Sequence, residues 1–123
     1  MGPKETDNFG SQGARDYLDV LAAKLVATVQ EIFIDPERIE PDEDGEAMLM
    51  PSVELLALLC ERYNVAPPKP STVEQWRNGY LNSYDQTSEK LFADEAIREE
   101  RRKVIERTFG WLSGLSESFW ASA

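Results

Sequence analysis

The chain has 123 residues, 41% of them apolar and 29% charged, which suits one domain able to bury a core without metals or disulfides. Its 23 acidic and 13 basic residues give a formal net charge of −10, which argues against direct binding to a nucleic-acid backbone, where Lys and Arg must neutralise phosphates. With no histidine and one cysteine, Ser-His and Cys-His nucleophilic systems, histidine-ligated metals and an intrachain disulfide are all excluded.

Residues 1–10 read as an N-terminal arm and residues 11–123 as a single helical domain. The opening MGPKET places Gly2 and Thr6 at the spacing of a myristoylation site, but Pro3 crowds the glycine that would be acylated. From Ser11 onward, Ala14, Leu18, Leu21, Leu25, Val29 and Ile32 recur on one helical face. Ser11 suits an N-cap, and Asp16 and Asp19 lie towards the positive end of the helix dipole. The β-branched residues of LVATVQEIFI would allow a strand, yet the longer period predicts a helix. Asp35-Pro36 ends it.

The next stretch, EPDEDGEAMLMP, has the look of a calcium loop. With Gly45 at the turn position of an EF-hand, Glu40, Asp42 and Asp44 occupy the first three ligand positions. The closing ligand position is then Pro51, which has no side-chain oxygen, and Pro36 and Pro41 fall where the entering helix should run. The expectation is a solvated acidic loop rather than a calcium site.

In VELLALLC, Val53, Leu55, Leu56, Ala57, Leu58, Leu59 and Cys60 surround nearly the whole circumference, which predicts a central helix covered on several sides. Pro51 starts this helix or kinks one that begins near Glu46. Asn64 helps to end it, and APPKP makes a stiff connection. Ser71 with Glu74 has capping-box spacing and predicts a third helix with Val73, Trp76, Tyr80 and Tyr84 on one face. Such a stripe could be a ligand platform, but large aromatic rings at this spacing read first as core.

The last helix is expected from about Ser88 or Asp94 towards Trp120, with Ile97, Val104, Thr108, Trp111, Leu115 and Phe119 in approximate register. The run REERRK interrupts the register and puts Arg101 on the core face, where it either snorkels along apolar surface or marks a part of the helix that projects beyond the bundle. Asp94 with Arg98, Glu99 with Lys103 and Arg102 with Glu106 stand four residues apart, each pair worth about a few tenths of a kcal/mol. The fold class expected is all-α: a bundle of about four principal helices with an acidic, proline-containing loop after the first.

NFGSQGARDYLDVL, residues 8–21, resembles the opening signature F-x-N-D-x-A-x-D-W-L of a bacterial domain-of-unknown-function family, number 4259. Phe9, Ala14, Asp16 and Leu18 match directly, Tyr17 replaces the tryptophan, and Ser11 and Gln12 replace the Asn-Asp pair. GEAMLMPSVELLALLCERYNVAPPKP is similar to the family's small-residue helix and proline-rich connection. Pro51 departs from that helix, and the glycine-tryptophan dipeptide before the signature is absent. The resemblance implies a small helical bacterial protein with no established chemistry, and Asp16 reads as a helix-start or hydrogen-bonding residue rather than a catalyst.

The function expected is a non-catalytic protein-interaction module with no cofactor and no catalytic or metal-binding residues. Asp42, Glu43, Asp44 and Glu46 would face a basic protein partner, while Met48 and its neighbour Met50 would supply the desolvated contacts that charge alone does not. A concrete form is an immunity or inhibitor protein that blocks the basic cleft of a toxin; a nucleic-acid mimic is a narrower form. The alternative is a carboxylate-based Mg²⁺-dependent hydrolase built on Glu37 with Glu40 and Glu43 with Glu46, although the intervening prolines disfavour the rigid helix it needs. The plain rival is charge that serves only solubility. A buried Cys60 among leucines reads as inert packing. No apolar run is long enough to span a bilayer and no signal-peptide pattern is present, so a cytoplasmic location without membrane contact is expected. Self-association is left open.

Overall fold

The computed structural model describes residues 4–121. Four α-helices form the body: α1 (Gln12–Ile34), α2 (Met50–Tyr63), α3 (Pro70–Thr87) and α4 (Glu95–Ala121), with no strand among the described residues. α1 packs on α2, α2 on α4 and α4 on α3, so the compact all-α bundle expected from the periodicity is the observed fold.

α1 starts where Ser11 Oγ accepts the Ala14 amide at 3.1 Å, and it remains a helix through LVATVQEIFI because Val29 and Ile32 are fully buried against the core. Tertiary packing there outweighs the β-branched preference for strand. On α3 the aromatic stripe is core, as its spacing indicated: Val73, Trp76, Tyr80 and Tyr84 are all buried. The start of α3 differs from expectation. Pro70 occupies the first turn and Lys69 is the capping residue, with no side-chain cap bond; the fixed φ of proline is already helical and its missing N–H costs nothing in the first turn, so the helix begins before the Ser71 box.

α2 ends at Asn64, whose φ of 54° is left-handed, a conformation that a short polar side chain tolerates. It is less enclosed than its composition predicted. Met50, Val53, Leu56, Ala57 and Cys60 face inward, while Leu55 and Leu58 are 51% and 45% exposed. Two neighbouring helices cover only about half of a helical cylinder, and the other side meets water whatever its residues.

The connection VAPPKP is held from outside. Ser116 Oγ donates to the Pro68 carbonyl at 2.6 Å and Trp120 Nε1 to the Pro67 carbonyl at 3.0 Å. The Lys69 ammonium lies 5.4 Å from the Trp120 ring centroid. Phe119 and Trp120 are half-buried, with their rings in an edge contact. Ser88–Lys90 is a separate 3₁₀ turn, and α4 starts after Asp94, whose carboxylate accepts the Ala96 amide at 2.8 Å.

The acidic stretch is folded rather than an open loop. Pro41–Leu49 winds as a π-type helical segment that is kinked at Glu43 and runs directly into α2. The Gly45 amide donates to the Glu40 carbonyl, and the Met50 amide to the Gly45 carbonyl. Pro41, Gly45 and Leu49 are buried, and the segment touches α1, α2 and α3. Two prolines limit where an α-helix can start, but they do not prevent a wider turn whose inner face carries Pro41, Gly45 and Leu49.

Candidate interaction surface

The five residues singled out on the acidic stretch divide into two sets. Asp42, Glu43 and Met48 are exposed. Asp44 and Glu46 are half-buried and point at cations of the same chain. Met50, expected to assist Met48 at the surface, is in the core at 4% exposure.

Glu46 is the most constrained of them. Arg101 of α4 donates to both carboxylate oxygens, Nε at 2.5 Å and Nη2 at 3.1 Å, and the Tyr80 hydroxyl donates at 2.6 Å. The hydrogen bond to Glu46 raises the Arg101 pKa further above its ordinary value. Burial first, and then the Glu46 carboxylate that accepts its proton, push the Tyr80 hydroxyl far above the ordinary phenol range. A bidentate guanidinium pair of this kind is geometrically specific, so the segment is pinned to α4 and α3 together. Glu46 is therefore an anchor of the surface and not part of its outward face.

The second anchor is Arg38 Nε on Asp44 Oδ2 at 2.7 Å. The third is looser: Lys90 Nζ lies 3.4 Å from Glu40. Gly45 sits where the segment approaches its neighbours most closely, since a Cβ there would lie 2.5 Å from the Ile39 carbonyl oxygen and 2.7 Å from Tyr80 Cε1. Arg101, Tyr80 and Arg38 are the positions that reading the acidic stretch alone missed. The signal for Arg101 was its place on the core face of α4, where an arginine needs a partner.

Neither E-x-x-E pair is laid out for a shared cation. Glu46 is committed to Arg101 and Tyr80, Glu43 faces solvent, and Glu40 faces Lys90. Among the described residues, no group of three or more Asp, Glu, Cys or His side chains is placed to hold a metal ion. Cys60 lines a cleft of about 450 Å³ between the ends of α2 and α4, beside Val65, Pro67 and Leu115. Burial pushes its thiol up to about 11, which keeps it protonated near neutral pH. Among the described residues, no helix is long and apolar enough to cross a membrane.

No protein-family model, curated protein or solved structure matches the chain.

Proposed function

We propose that the chain is a non-catalytic protein-interaction module of the immunity or inhibitor kind, which meets a basic partner with the outward side of residues 42–48. The observation that carries this reading is the division within the acidic segment. Glu46 ties it to α3 and α4, Asp44 ties it to Arg38 on the connection just before it, and Asp42, Glu43 and Met48 are thereby presented at fixed positions. Fixed charges beside an exposed apolar side chain give both long-range steering and a contact that excludes water. The net charge of −10 adds to the steering. The proposed bacterial setting rests on the resemblance of residues 8–21 to a bacterial family without established chemistry.

The test is capture from a bacterial lysate at low salt with the purified chain and with a D42K/E43K variant, followed by a salt gradient. The expected result is one stoichiometric basic partner that the wild type retains, that salt elutes, and that the variant binds at least about tenfold more slowly while keeping its helical circular dichroism. Equal retention by the two proteins across the gradient would remove the acidic face from the proposal.

A further inference from the structure

α4 has two unlike halves. All the residues it buries, Ile105, Phe109, Leu112 and Ser116, lie in residues 105–121. Residues 95–104 bury none: Ile97 is 50% exposed, and residues 98–103 are all charged.

The first half is held to the body by polar contacts. Arg101 grips the Glu46 carboxylate at 2.5 and 3.1 Å, Arg102 grips Asp85 at 2.8 and 3.0 Å, and the Tyr84 hydroxyl donates to the Arg98 carbonyl at 2.9 Å. Arg98 itself turns back onto the carbonyls of Phe92 and Ala93, just before the helix. Between this half-helix and the end of α3 lies an open groove of about 250 Å³, with Tyr84, Asp85, Ser88, Arg98 and Arg102 on its walls. Local opening requires least free energy where few apolar contacts are lost, and partly exposed ion pairs weaken as salt screens them.

We infer that residues 95–104 are a lid, closed by the Arg101–Glu46 and Arg102–Asp85 clasps, which opens as a unit while residues 105–121 stay docked. Opening uncovers the Tyr84 ring; residues 95–104 bury no side chain of their own, so that ring is the main apolar surface that opening exposes. Ionic strength is the lever, since both clasps are charge pairs. The Arg101–Glu46 clasp is also the anchor of the acidic segment, so the lid shares that pair with the proposed interaction surface, but its test needs no partner.

The experiment is amide hydrogen exchange by NMR on the whole chain, at low salt and in about 1 M NaCl, where the screening length falls to about 3 Å. After correction for intrinsic rates, amides of residues 99–104 should exchange at least about tenfold faster than those of residues 106–116 at low salt. They should accelerate about fivefold more in high salt, while residues 106–116 change by less than about twofold. An R102Q variant, which breaks the more exposed clasp to Asp85 together with the pair that Arg102 makes to Glu106 one turn on, should accelerate the same amides at low salt and blunt their salt response. Equal protection along the whole of α4, or salt acceleration spread evenly over all four helices, would overturn the inference, and the wild-type measurement decides this whether or not the variant folds.

Discussion

Replacing Gly45 by alanine should destabilise the protein even though it adds a better helix former. Alanine is favoured over glycine in a helix interior by about 1 kcal/mol, and Gly110, with nothing within 4 Å of an added Cβ, should show that gain in Gly110→Ala. At Gly45 the added methyl meets the Ile39 carbonyl oxygen at 2.5 Å, Tyr80 Cε1 at 2.7 Å and the Glu40 carbonyl oxygen at 2.9 Å. The carbonyls belong to the backbone that forms the segment, and the ring is fixed at its far end by the 2.6 Å bond to Glu46. None of the three can yield without moving another. Overpacking of this kind costs about 1–3 kcal/mol, and with the anchor disturbed the net loss should be about 2 kcal/mol. Gly79 is the intermediate case, since its one close neighbour is the Phe33 ring at 2.8 Å, a side chain that can swing aside; its alanine variant should change stability by less than about 1 kcal/mol. Urea unfolding of the three variants, followed by circular dichroism, measures this order directly. A Gly45→Ala protein as stable as the wild type would refute the close approach and with it the fixed presentation of the acidic face.

Two further outcomes follow from buried groups. Ser116→Ala removes the hydroxyl that donates to the Pro68 carbonyl and should cost about 1 kcal/mol, with a change in the emission of the adjacent Trp120 that a remote surface substitution does not produce. For Cys60, the folded thiol sits at about 11 against 9.0 for the free group, so burial favours the neutral form. The associated stability is fully present below pH 9.0 and drains as pH rises towards 11. Urea midpoints at pH 8 and pH 10, compared with Cys60→Ala, should show a steeper alkaline loss in the wild type; matching slopes would contradict the burial.

What the sequence made legible was local. Ser11 as a cap, the face of α1 from Leu18 to Ile32, the aromatic face of α3 and the end of α2 at Asn64 all depend on neighbours within a few turns. The acidic stretch was harder to read because its organisation comes from a distance. Glu46 finds Arg101 across 55 residues and Tyr80 across 34, and no local pattern of charges or prolines encodes that pairing. The charge-rich run in α4 held the counterpart of that information: an arginine on a core face needs an acid. The exposed side of α2 was misjudged for a related reason. Leu55 and Leu58 look like core in a one-dimensional reading, but whether a leucine is covered depends on how many helices surround its own.

The hold of α4 on the proline-rich connection also bears on the order in which the molecule is assembled. Pairing α1 with α2, or α3 with α4, closes short stretches of chain, which is a fast kind of event. The clasps from Ser116 and Trp120 reach back 48 and 53 residues, to carbonyls that lie between those two pairs. Until they form, the hairpins are joined by a strut without a fixed direction. Afterwards two hydrogen bonds and one cation–ring contact reinforce the orientation that the packing of α2 on α4 gives the two pairs. The second half of α4 is therefore the closing element of the fold, and damage there should show as slow or incomplete docking of two otherwise formed helical pairs.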